Sequence, residues 1–113
     1  MNKSARLPQA AVMTPHTAQG DTAFLNARRN AYRCVTTQDW SGAARSLTAL
    51  SSNRHFAVDD WVSLAISSVH AGALAAAVDA ARQALRQDDR HFRAIQVLTI
   101  ALMEQHRWSE AAE

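Results

Sequence analysis

The chain of 113 residues has few of the residues that carry redox or phosphate chemistry. Cys34 is its only cysteine, so an intrachain disulfide is excluded, and a reducing compartment, the cytoplasm, is expected. Three glycines in all form no glycine-rich phosphate loop. No apolar run reaches the length of a membrane span, and residues 10–13 are too short for the core of a signal peptide. We therefore expect no membrane insertion.

An excess of charge of one sign is also missing. Lys3 is the only lysine among twelve basic residues, which are interspersed with ten acidic ones for a net charge of +2. A nucleic-acid-binding domain usually carries a basic field on one face, so we expect no nucleic-acid partner. The densest basic cluster, formed by Arg28, Arg29 and Arg33, is interpreted as a solvated helix face.

Residues that could form a catalytic or metal site are scattered along the chain. Four histidines fall in linkers and at helix ends, with no i, i+4 pair and no cysteine at ligand spacing: His55, His70, His91 and His106. Two pairs of adjacent acids, at 59–60 and 88–89, stand at helix boundaries, where capping explains them. We expect no enzyme activity, no metal and no cofactor, and we interpret Cys34 as a packed thiol.

The chain does contain an internal repeat. The frame Asp-Trp-Ser-Gly-Ala-Ala at 39–44 recurs as Arg-Trp-Ser-Glu-Ala-Ala at 107–112. The midpoint between the two copies carries Leu74 at the tryptophan step and Ala77 at the first alanine step. A second echo, Arg-His-Phe at 54–56 and 90–92, is out of phase with this repeat, so we interpret it as similarity between linkers. A repeat unit of about 34 residues with helical spacing predicts an array of helix hairpins.

Apolar residues at three- and four-residue steps predict the individual helices. The first helix should run over 23–36, capped by Asp21 or Thr22. It should follow a flexible arm, residues 1–20, which holds both prolines. The second helix should be capped by Ser41.

The later helices follow from the same spacing. The third should open at Asp59 or Asp60 and be closed by Gly72, because a left-handed residue beyond a helix end costs glycine little. The other expected elements are a fourth helix over 75–87, a fifth over 92–105, a turn at Trp108 and a truncated sixth helix from Ser109. The inner face of the fifth helix is expected at Ile95, Leu98, Ala101 and Leu102.

This pattern resembles the tetratricopeptide repeat (TPR) family. The resemblance rests on Trp61, Leu64, Ala65, Gly72, Ala77, Ala81 and Ala84. It departs from the family at Asn30, where a leucine is expected, and in the missing linker proline. The resemblance implies an all-α, right-handed superhelical array of antiparallel helix hairpins over residues 21–113, with five full helices and a truncated sixth. The implied repeats span about 24–57, 58–91 and 92–113, the last being incomplete.

The resemblance also implies a binding site, because one face of each first helix lines a concave groove in this family. The groove positions are Leu25, Arg28, Arg29, Tyr32, Val35, Val62, Ile66, Val69, Arg93, Gln96, Ile100 and Met103. A non-catalytic, chaperone- or scaffold-like module that binds a protein partner through a peptide or amphipathic helix is implied. Of the carboxylate clamp of some members, Arg28 and Arg93 keep basic residues at clamp positions. The clamp is nevertheless mostly broken, because Tyr32 and Ser63 replace asparagine and Val97 replaces a basic residue.

Three alternatives stay open at this point. The groove residues are also compatible with packing on the N-terminal arm, on a further helix or on a second copy. The chain is compatible with an N-terminal TPR scaffold of a larger bacterial enzyme, such as a transferase. It is also compatible with a homo-oligomer that associates through the open ends of the array.

Overall fold

The computed structural model of the chain describes residues 15–112, with side chains from residue 21 to residue 110. Over that part the chain is all-helical, as predicted, with no strand. The helices are α1 (Pro15–Thr36), α2 (Trp40–Leu50), α3 (Val58–His70), α4 (Leu74–Gln87) and α5 (Phe92–Ala112). Connections of three to seven residues make consecutive helices antiparallel neighbours. Residues 1–14, most of the predicted arm, lie outside the described residues.

The helix boundaries recur with the period of the sequence repeat. Three pairs show this spacing: the ends of α1 and α3 at Thr36 and His70, the starts of α2 and α4 at Trp40 and Leu74, and the starts of α3 and α5 at Val58 and Phe92. The hairpin turns recur too, because Gln38 has a φ of 62° and Gly72, one repeat later, has a φ of 83°. The prediction that Gly72 closes the third helix is therefore confirmed.

The predicted start of α1 is wrong. The helix begins at Pro15, so Asp21 and Thr22 lie inside it and cannot be its N-caps. Proline is favoured in the first turn of a helix, where its missing N–H costs nothing, and Gly20 alone does not break the helix. Residues 15–20, which were assigned to the arm, belong to α1.

Carboxylates accept backbone hydrogen bonds at the starts of both α2 and α3. Asp39, and not the predicted Ser41, caps α2, because its Oδ1 accepts a hydrogen bond from Gly42 N at 3.1 Å. At the start of α3, Asp60 Oδ2 accepts from Ala57 N at 2.8 Å. The predicted opening of α3 at Asp59 or Asp60 is one or two residues late, because the helix begins at Val58 with Ala57 as its N-cap, but Asp60 does bind a backbone N–H at the helix start.

The predicted turn at Trp108 and the sixth helix from Ser109 are wrong for the described residues. α5 continues without interruption to Ala112, and Trp108 is 67% exposed. Residues 104–108 include neither proline nor glycine, so no local signal breaks the helix. Pairs of side chains one turn apart also favour its continuation, with Arg107 Nη1 at 2.7 Å from Glu104 Oε1.

Small side chains build the core between the helices. The fully buried alanines are Ala31, Ala43, Ala65, Ala77, Ala81, Ala84, Ala94 and Ala101. Because these side chains are short, neighbouring helices approach closely and the larger residues fill the remaining space. Aromatic pairs pack at the edges, with Trp61 edge-on to Phe56 at 4.8 Å and Trp40 stacked on His70 at 4.2 Å between ring centroids.

The predicted inner face of α5 is correct only in part. Ala101 is buried and Leu98 is half-buried, but Ile95 is 44% exposed and Leu102 is 41% exposed. The buried side of the helix is centred instead on Ala94, Val97 and Ala101. Ile95 and Leu102 flank this buried side and belong to none of the core clusters.

Candidate functional site

A cavity of about 220 Å³ opens between α3 and α5. We call it the α3–α5 groove, and it is lined by Ile66, Val69, His70, Arg93, Gln96, Val97 and Ile100. Five of these residues were predicted as groove positions from the sequence. His70 and Val97 were not.

Helical spacing brings these side chains onto one surface. Arg93, Gln96 and Ile100 follow one another at three- and four-residue steps of α5 and therefore lie on one side of that helix. Met103 continues the row and is 60% exposed, while Ile100 is 44% exposed. Val97 is buried and forms the floor. The groove therefore offers an apolar strip that no described residue covers.

The charge of the α3–α5 groove is one-sided. Its lining contains Arg93 and a histidine but no carboxylate. Arg93 is exposed and forms no ion pair with any side chain of residues 21–110. Two acids of α3 have other partners, since Asp59 Oδ1 lies 3.3 Å from His91 Nε2 and Asp60 pairs with Arg28.

The first-helix part of the predicted groove is engaged inside the protein. Arg28 Nη1 lies 3.3 Å from Asp60 Oδ2, and the hydroxyl of Tyr32 donates to Asp60 Oδ1 at 2.5 Å. Asp60 is only 2% exposed, so its charge depends on these donors. Arg28 and Tyr32, two predicted groove positions, therefore join α1 to α3 through Asp60.

The phenol of Tyr32 is held in its protonated form. Burial disfavours the phenolate and, with the hydrogen bond to the Asp60 carboxylate, raises the pKa of Tyr32 from 10.0 to about 12. The hydroxyl consequently remains a donor to Asp60 at any physiological pH.

Val62 is not a groove residue either, contrary to the prediction. It is 6% exposed and packs in a cluster with Ala84 and Ala94, where α3, α4 and α5 meet. A helix that is apolar on two sides can bury either side, and at this position the neighbouring helices cover it.

The remaining predicted positions lie on α1, away from the α3–α5 groove. Leu25 is 48% exposed, Arg29 is exposed and donates to Asn26 Oδ1 at 3.3 Å, and Val35 is half-buried. Leu25 lines a second cavity of about 300 Å³ together with Asp21, Phe24, Arg28 and His55.

That second cavity is larger but less suited to an apolar ligand. Its polar groups already contact its own residues: His55 Nε2 lies 3.1 Å from Asp21 Oδ1, and the Arg28 guanidinium lies 5.5 Å from the centre of the Phe24 ring. It also adjoins residues 15–20, whose side chains are not described. We therefore take the α3–α5 groove as the candidate site.

The Arg-His part of the echo lies in the two linkers between hairpins, as interpreted from the sequence, but Phe92 already begins α5 whereas Phe56 lies in the first linker. His55 and His91 each contact an aspartate of the first helix of the preceding hairpin, Asp21 and Asp59 respectively. Ala94 N also donates to His91 Nδ1 at 3.2 Å, so His91 caps α5. Each histidine thus joins a linker to the first helix of the preceding hairpin.

Within the part of the chain that the structure describes, we also searched for a metal site and for a membrane-spanning helix. Among the side chains of residues 21–110, no three histidine, cysteine or acidic groups gather as they would around a metal ion. None of the helices α1 to α5 has the length and apolar character needed to cross a membrane.

The family resemblance rests on the chain's own repeat. The chain matches no protein-family model, no curated protein and no solved structure.

Proposed function

We propose that this chain is a non-catalytic interaction module of TPR type, a right-handed superhelical array of helix hairpins. Its α3–α5 groove binds an amphipathic helix or an apolar peptide of a protein partner. The constant spacing of the helix boundaries and of the two left-handed turn residues supports the repeat architecture.

The observation that carries the binding proposal is the apolar strip in the groove. Ile66 and Val69 on α3 face Ile100 on α5, and Met103 extends the strip along α5. An exposed apolar strip with polar residues beside it is characteristic of a protein-interaction surface. Apolar side chains at i, i+3, i+4 and i+7 of a helical ligand match such a strip.

A synthetic peptide tests the proposal directly. The probe is a helix with acetylated and amidated ends, a stripe of leucines at this spacing and glutamine at its polar positions. We expect saturable binding by fluorescence anisotropy, and Ile100→Asp should raise the Kd about tenfold or more, because it places a charge in the apolar contact. Ile66 is less suitable for substitution, since it is half-buried and packs on two core clusters.

Ile95→Asp is the matched control. Ile95 is on the same helix and is exposed to the same extent, 44%, as Ile100, but it lies outside the groove. Circular dichroism should show equal helicity for both variants, and light scattering should show that neither alters self-association. The proposal is wrong if the wild-type chain shows no saturable binding, or if the two variants weaken it equally.

A further inference from the structure

We propose that the α3–α5 groove selects a negatively charged amphipathic helix, one of whose carboxylate side chains pairs with Arg93. This inference rests on the proposed function and adds the charge of the partner and the direction in which it lies. The partner's leucine-type side chains occupy the apolar strip, and its acidic residue lies toward the start of α5.

The first observation that supports this proposal concerns the charge and exposure of Arg93. It is an exposed cation on the rim of an apolar cavity and has no ion-pair partner among residues 21–110. It also stands in the first turn of α5, where the helix dipole favours an anion. Gln96, one turn further along the groove, adds an amide donor.

A second observation is that Arg28, a predicted groove cation, is already paired, and that neither Arg28 nor Arg29 lines the α3–α5 groove. Arg28 is paired with the buried carboxylate of Asp60, and Tyr32 shares that carboxylate. An anion that approached Arg28 would compete with Asp60, whose charge is buried and cannot be left without donors. Arg93 is therefore the cation that a ligand in the α3–α5 groove meets.

A third observation is that charge and apolar surface are separated along α5. The row from Arg93 through Gln96 and Ile100 to Met103 is cationic at one end and apolar at the other. An occupant that matches it carries its acidic residue at one end of its apolar stripe. Acidic side chains at the opposite end would lie against Met103 and gain nothing.

The test compares three peptides with the same leucine stripe and blocked ends, which carry glutamine, glutamate or lysine beside the stripe. Blocked ends leave side-chain carboxylates as the only anions. We expect the glutamate peptide to bind most tightly and the lysine peptide least tightly at low salt. The difference should shrink at high salt, because an exposed ion pair is screened.

Arg93→Glu should reverse the order of the two charged peptides. The Kd of the glutamate peptide should rise roughly threefold to tenfold, the size expected when an exposed ion pair is replaced by a repulsion. Arg82→Glu on the exposed face of α4 makes the same change in net charge outside the groove and should leave the order unchanged.

The outcomes distinguish a failure of the charge preference from a failure of the proposed function. If the glutamine peptide binds and is lost in Ile100→Asp, but glutamate and lysine peptides bind equally, the proposed function stands and the charge preference is wrong. The preference is also wrong if Arg82→Glu acts as strongly as Arg93→Glu. If none of the three peptides binds, the proposed function itself is overturned.

Discussion

The carboxylate of Asp60 accepts hydrogen bonds from three donors in two parts of the chain. Arg28 and Tyr32 donate from α1, and the backbone N–H of Ala57 donates from the end of the loop that precedes α3. A carboxylate buried this deeply is stable only when its oxygens are satisfied. One residue thus caps a helix and joins the first hairpin to the second.

Tyr32 gives this cluster a measurable signature. Because its pKa is about 12 in the folded chain against 10.0 for a free tyrosine, its contribution to the free energy of unfolding is complete below pH 10 and is lost as the pH rises through 12. Tyr32 is the only tyrosine, so ultraviolet absorbance of the phenolate reports it alone. We expect a midpoint near pH 12 in the native chain and near pH 10 in urea. A native midpoint near 10 would contradict both the burial of the phenol and its hydrogen bond to Asp60.

At the scale of the element, the two hairpin turns solve one geometric problem with different residues. Each turn needs one residue with positive φ just beyond the helix end, and the chain places Gln38 in the first turn and Gly72 in the second. A side chain in this region is strained, whereas glycine is not. The turn therefore has the same backbone conformation in both repeats, although the residue that adopts it differs.

Two substitutions should consequently have opposite effects. We expect Gln38→Gly to raise the free energy of unfolding by about 1 kcal/mol and Gly72→Ala to lower it by about 1 kcal/mol. Gln83→Gly, inside α4, is the control and should destabilise by about 0.5–1 kcal/mol, since glycine weakens a helix interior. Urea denaturation measures all three. Destabilisation by Gln38→Gly would contradict the left-handed conformation of that turn.

The sequence predicted the bounds of the middle helices well, because residues next to those bounds determine them. A turn glycine and short apolar steps are visible in the chain, and they locate the end of α3 and the start of α4 within a residue. The start of α1 and the end of α5, in contrast, depend on the absence of helix-breaking residues. No strong breaker interrupts residues 15–22 or 104–112, so each helix runs beyond its predicted limit.

The candidate site was harder to predict than the helices. Helical spacing shows that α3 has two apolar faces, but it does not show that Val62 is covered by α4 and α5 while Ile66 borders a cavity. Arg28 and Tyr32 are engaged by an acid 32 and 28 residues away, a contact that local patterns do not reveal. Val97 could have been found, because it stands two repeats after Arg29, a predicted groove position.

At the scale of the whole molecule, exposed apolar surface is concentrated at one end. Of seven large hydrophobic residues exposed among those described, six lie on α5: Phe92, Ile95, Ile100, Leu102, Met103 and Trp108. They occupy different sides of that helix, with Ile100 and Met103 at the groove and Ile95 and Leu102 away from it. The central claim is that the groove side recognises the partner.

The most direct test of this claim is amide chemical-shift mapping of the chain with the leucine-striped glutamine peptide. We expect the largest shifts at residues that border the groove, namely Ile66, Val69, Gln96 and Ile100. The α1 positions Leu25 and Arg29 should change little. Shifts centred on Ile95 and Leu102, or spread along α1 with none in the α3–α5 groove, would contradict it.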